Sequence, residues 1–180
     1  MQYLQQQFLT NLWLTNLHVH QISVDGVKSE LDRVSIVSGS VPYIADLWRI
    51  KSEKILGVRA QINDAFRKSV DNSYRDGNHK FLHARGWRVN QDTESYFSSN
   101  LNCKYIALAC VHNACKIYFT DSRKSGIIVA KDIVAGDLLI FPSYVLHRVD
   151  GKNYDCIGTK IHVANMNKYP KGTYNKFFDL

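Results

Sequence analysis

The chain has 180 residues, enough for one hydrophobic core and too few for two ordinary domains. With 45% hydrophobic residues, 22% charged residues and three prolines, its composition is globular, which excludes disordered and collagen-like chains. No apolar run approaches the ~18 residues of a membrane-spanning helix, and Met1 to Gln7 lack the basic and greasy regions of an export signal. Twenty-three Lys and Arg against 16 Asp and Glu leave a net charge of +7. The basic residues are scattered, densest from Arg148 to Lys176, and read as a solvated surface rather than a binding stripe.

Cys103, Cys110, Cys115 and Cys156 form no C-x-x-C pair, which argues against a zinc ribbon. They read as reduced thiols in an intracellular setting, cytoplasmic or within a virion and not secreted, with Cys103 and Cys110 as small core side chains.

In chain order, Phe8 to Val19 is dense in strand formers and predicts one or two short strands. A helix starts near Asp25, with Val27, Leu31 and Val34 at helical spacing. Ser52 to Val70 gives the best helix, with Ile55, Val58, Ile62 and Phe66 on one stripe, Ser52 as N-cap and Pro42 placed to open an earlier turn. From Lys80 the pattern changes to short strands: 81–89, 96–97, 104–111, 116–120, 126–130, 138–141, 145–149 and 157–164. Lys104 to Val111 is apolar on both faces and reads as a buried central strand. The prediction is a single mainly β (α+β) domain. It divides into an N-terminal strand and helices over 1–79, a β core over 80–165 and a basic aromatic tail over 166–180.

The densest signal is the run from Ala135 to Val149, in which Gly136-Asp137-Leu138-Leu139-Ile140-Phe141-Pro142-Ser143 is followed closely by His147. This run resembles the last half of the double-stranded β-helix of iron- and 2-oxoglutarate-dependent dioxygenases. It resembles in particular a small set of their relatives common in bacteriophages and marine bacteria. The likeness extends to Trp87-Arg88-Val89-Asn90, to the strand Lys116 to Arg123 and to the closing strand Ile161 to Asn165. It implies a jelly roll braced by one or two N-terminal helices, with His147 at the place of the distal metal ligand.

The resemblance also implies what a working site needs, and the sequence departs from it. A facial-triad iron site takes two His and one carboxylate, or a close variant. Related chains place a H-x-D or H-x-H pair shortly before the buried strand, where this chain reads Glu94 to Cys103 and has no His. The ligand positions fall on Ser98 and Asn100 or on Asn100 and Asn102. Asp92 and Glu94 are upstream carboxylates that could join His147 in a different set. The family grips the far carboxylate of 2-oxoglutarate with an Arg on the last core strand. Aligning Asn165 with the family's terminal Asn puts Thr159 at that position, and a one-residue slip points Lys160 to the other face.

His147 is therefore expected as a hydrogen-bonded remnant rather than as part of a metal site. His18 and His20 are expected on a strand surface, and the His79 and His83 spacing as coincidence. No G-x-S-x-G elbow and no phosphate-cradling glycine loop is present.

The leading expectation is a catalytically inactive relative with no catalytic residues, metal or cofactor. Such a chain would serve as a structural or assembly protein with protein partners, in a homo-oligomer or larger assembly, and in a phage at the neck or tail of the virion. The alternative is an active dioxygenase with a non-standard metal site, in which Fe(II) and 2-oxoglutarate activate O2. A nucleic-acid module rests on the charge alone, and a membrane partner on nothing in the sequence.

Overall fold

The computed structural model describes residues 4–10, 13–37, 46–69, 79–90, 102–121, 124–165 and 178–179. Two N-terminal strands, β1 (Leu4–Thr10) and β2 (Trp13–Gln21), precede helices α1 (Val27–Val37) and α2 (Glu53–Ser69). Eight further strands follow: β3 (His79–Asn90), β4 (Tyr105–His112), β5 (Cys115–Asp121), β6 (Lys124–Ile133), β7 (Asp137–Pro142), β8 (Leu146–Gly151), β9 (Asp155–Asn165) and β10 (Phe178–Asp179). Among the described residues no helix is long and apolar enough to cross a membrane.

The larger sheet runs β1-β2-β7-β4-β9-β3-β10 and the smaller runs β6-β5-β8, with every pairing antiparallel. In chain order β3 and β4 lie in the larger sheet, β5 and β6 in the smaller, and β7, β8 and β9 then alternate between the two, in the winding of a jelly roll. Sequence and structure agree on this architecture, and Tyr96, Phe97 and most of the tail lie outside the described residues.

Three layers result: helices, larger sheet, smaller sheet. The central strands are buried on both faces, so each alternates between two cores. Ala107, Ala109, Val111, Leu138, Ile140, Ile157 and Ile161 face the helices, where α2 presents Ile55, Val58, Ile62 and Phe66. Ile106, Leu108, Cys110, Leu139, Phe141 and Cys156 face inward, against Ile117, Phe119 and Val149 of the smaller sheet.

The predicted long helix is borne out, with Ser52 Oγ accepting from the Ile55 N–H at 3.5 Å and Arg67 and Lys68 at its C-terminal end. Pro42 lies outside the described residues, and no earlier turn is continuous with α2. A separate 3₁₀ turn, Leu47–Arg49, forms instead, with the Asp46 side chain accepting from the Trp48 N–H. That turn seats the buried Trp48 over β3 and β9. The approach depends on Gly86, where an added Cβ would come within 2.5 Å of the indole.

Candidate functional site

The face of each strand follows from its contacts. On β9, Thr159 is fully buried toward the helices: its Oγ1 accepts from the Trp48 indole N–H at 2.8 Å and donates to the Arg85 carbonyl at 3.0 Å. Asp155 lies on the same face and pairs with Arg88. The intervening residues Cys156, Gly158, Lys160 and His162 therefore point between the sheets. Cys156 belongs to the inner core, and a Cβ on Gly158 would meet the inward Trp87.

This reverses the sequence expectation for the last strand. Thr159 faces the helices; Lys160 faces the space between the sheets. No slip or bulge is needed, because β4 and β9 pair without interruption from Cys110↔Cys156 to Tyr105↔Ile161.

Arg85 was not singled out in the sequence. Its strand neighbours Trp87 and Val89 pack on the inner core, so alternation turns Arg85 inward too. It pairs directly with Lys160 across the β3–β9 ladder. The register then defines one inward row across the larger sheet: Phe141 beside Ile106, Ile106 beside Lys160, Lys160 beside Arg85. With neighbouring strands ~4.8 Å apart, the cations begin about 10 Å from Phe141.

His147 faces this row from the smaller sheet. It stands opposite Phe119 in the β5–β8 ladder, and its ring centroid lies 4.9 Å from that of Phe141. Its Nδ1 is 3.1 Å from the Val145 carbonyl oxygen. A carbonyl only accepts, so Nδ1 carries the proton and Nε2 keeps its lone pair. Metal-binding imidazoles are commonly oriented by such a bond. Burial also lowers the pKa of His147, which keeps the ring neutral, the form a metal takes. His147 is thus half-buried, with Nδ1 held by the Val145 carbonyl and its ring against Phe141.

Cys103 and His162 lie near Lys160. Burial raises the pKa of the Cys103 thiol, against smaller downward pulls from the Ser143 hydrogen bond and then from the Lys160 ammonium. His162 is lowered by burial first and by Lys160 second. Ser143, at the end of the Gly136-to-Ser143 run, donates from Oγ to the Cys103 carbonyl at 2.5 Å and ties β7 to the chain entering β4.

The other histidines divide. His18 and His20 are not surface residues; both are buried on the helix-facing side of β2, and His20 Nε2 lies 2.6 Å from Ser69 Oγ. His79 and His83 lie on β3, and His112 ends β4 at a turn where Asn113 takes φ 55°. Asp92, Glu94, Ser98 and Asn100 lie outside the described residues, and Asn102 is exposed.

No protein-family model and no curated protein sequence matches the chain. Solved structures do. HygX from Streptomyces hygroscopicus, crystallised with nickel and 2-oxoglutarate bound, superposes with a TM-score of 0.53 over 81% of this chain and 82% of its own, at 15% identity. An N-substituted L-amino acid dioxygenase from Burkholderia ambifaria, in complex with alpha-ketoglutarate, covers 81% of this chain and 85% of its own at 12% identity and a TM-score of 0.32. The chain has the fold that HygX has.

The expectation of no cofactor is overturned here. That fold, in HygX, holds a metal and 2-oxoglutarate. Of the two sequence grounds for that expectation, the placement of Thr159 fails because Lys160 takes the inward position, while the absence of histidine from residues 94–103 stands. The described residues fit such groups at two points: an oriented imidazole nitrogen for a metal, and the Arg85–Lys160 pair for a carboxylate. Like charges directly opposite on one sheet face repel, and an anion between them offsets that repulsion.

Proposed function

We propose that this barrel binds a divalent metal and a 2-oxo dicarboxylate, and that the chain is a 2-oxoglutarate-dependent oxygenase with a non-standard ligand set. The observation that carries the reading is the inward row ending in Lys160 and Arg85, faced by the oriented ring of His147. His147 would donate Nε2 to the metal, and a carboxylate from Asp92 or Glu94 would join it. Lys160 and Arg85 would hold the far carboxylate of the oxo acid, Arg85 through its planar fork and Lys160 as a point charge. Phe141, Phe119 and Ile106 wall the space between with apolar surface and keep water from the reacting groups. When bound, metal and oxo acid supply the O2-activating chemistry of such oxygenases.

Anaerobic equilibrium dialysis with Fe(II) tests this. The expected result is one ion per chain and at least ~100-fold weaker retention in His147→Ala. Wild-type protein that retains no Fe(II) with or without 2-oxoglutarate, or binding unchanged by His147→Ala, overturns it.

A second reading keeps the barrel as a structural or assembly protein with protein partners, as in a virion. One feature favours it: residues 94–103 contain no histidine, so the usual imidazole pair is missing there. Light scattering on a sizing column separates the two, since this reading requires an assembly larger than one chain.

A further inference from the structure

The far end of the barrel holds a second group of donor atoms. Cys110 on β4 and Cys156 on β9 are direct cross-strand partners on the inward face of the larger sheet. Cys115, the first residue of β5, meets them from the smaller sheet. All three sulfurs lie within 4.8 Å of one another, and Cys115 and Cys156 are 3.6 Å apart. The three residues are 0%, 5% and 0% exposed. Among the described residues this is the one cluster of three potential ligand atoms at that spacing.

Metal–sulfur bonds of ~2.3 Å require sulfurs about 3.8 Å apart around a tetrahedral centre and about 4.0 Å apart around a trigonal one. The observed spacing brackets both. A simple buried thiol pair would leave the third sulfur unexplained, and three thiols are an odd number for disulfides. Three thiolates select a soft ion.

A cleft of ≈ 440 Å³ whose lining includes His112, Asn113, Tyr154 and Asp155 lies at the turns that follow Cys110 and precede Cys156. Asn113, in the positive-φ turn between β4 and β5, puts its carbonyl oxygen 3.2 Å from Cys110 Sγ, where it can serve as a fourth ligand.

We propose that Cys110, Cys115 and Cys156 form a three-thiolate site for one soft d10 metal ion, Zn(II) or Cu(I), in the core between the two sheets. The site is separate from His147, which pairs with Phe119, four residues along β5 from Cys115 and so about 13 Å away. Binding releases thiol protons to solvent and changes no oxidation state.

The test uses the full chain carrying His147→Ala, so that the other end contributes no donor, reduced and freed of metal under anaerobic conditions. Zn(II) or Cu(I) alone is titrated against a chromophoric chelator while thiolate-to-metal absorption is followed in the ultraviolet. One ion per chain with a saturating absorption band is expected, and the tighter of the two titrations names the ion. Cys115→Val should weaken binding at least ~100-fold, and Cys103→Ala should leave it unchanged. If Cys115→Val loses its circular dichroism, Cys110→Ala and Cys156→Ala take its place, and the stoichiometry of the parent chain decides alone if they unfold too. No ion bound by the parent, binding that survives Cys115→Val, or loss of two thiols to a disulfide in place of metal uptake overturns the proposal.

Discussion

The indole N–H of Trp48 donates to Thr159 Oγ1 at 2.8 Å, and this bond joins the 3₁₀ turn to the last core strand. It fixes Thr159 on the helix side and thereby turns Lys160 into the barrel. Thr159→Val removes the acceptor while keeping the shape and leaves a buried N–H unsatisfied. The expected cost is about 1–3 kcal/mol in urea unfolding. A variant as stable as the parent would mean that the bond does not position β9.

Gly158 allows the inward Trp87 to lie flat on β9. A Cβ there would come within 2.5 Å of the indole, closer than real Cβ contacts come, so the ring would have to shift. Gly158→Ala is expected to destabilise by about 1–3 kcal/mol through overpacking. Thermal unfolding followed by tryptophan fluorescence reads both the loss and the displaced ring.

Much of the architecture was legible in the sequence, and the reason is local. The long helix carries its stripe in four residues, and Lys104 to Val111 declares a two-sided burial by being apolar throughout. Gly136 and Pro142 punctuate β7, and Gly136 indeed takes φ +97°. The face of β9 was not legible. Ile157-Gly158-Thr159-Lys160-Ile161-His162 is buried on both sides, so no apolar–polar alternation distinguishes helix side from barrel side. Trp48 distinguishes them, and it lies 111 residues away. The thiol cluster was hidden for the same reason: Cys115 and Cys156 are 41 residues apart, and only the winding of the jelly roll brings them together. Arg85 could have been found from Trp87 and Val89, which share its strand period.

Arg88 reaches from β3 to Asp155 and, at 2.8 Å, to Asp32 on α1. Asp155 is 3% exposed and has Lys28 at 3.4 Å as its second cation. Arg88→Met would leave that carboxylate with the longer contact alone. The expected loss is about 3–5 kcal/mol, less whatever Lys28 recovers. Pairing it with Asp155→Asn in a double-mutant cycle should restore part of the stability; strict additivity would contradict the coupling.

Four histidines are held below their ordinary pKa of 6.5, in each case first by burial: His18, His20, His147 and His162. The unfolded chain takes up protons at pH values where the folded chain refuses them. Stability from this source is therefore full above about pH 6.5 and falls as the pH drops through and below it. Melting temperatures recorded from pH 7.5 to 5 should decline, and His20→Asn should flatten the slope. A melting temperature that rises on acidification would contradict the burial of these rings.

The central claim is that Lys160 and Arg85 face an interior place for a carboxylate. Calorimetric titration of 2-oxoglutarate into the Mn(II)-loaded chain tests it most directly. The account predicts one site per chain, weakened about 30-fold or more by Lys160→Met or Arg85→Met, as truncating one partner of a buried charge pair does. Absence of binding to the parent chain, or equal affinity in both variants and the parent, would contradict it.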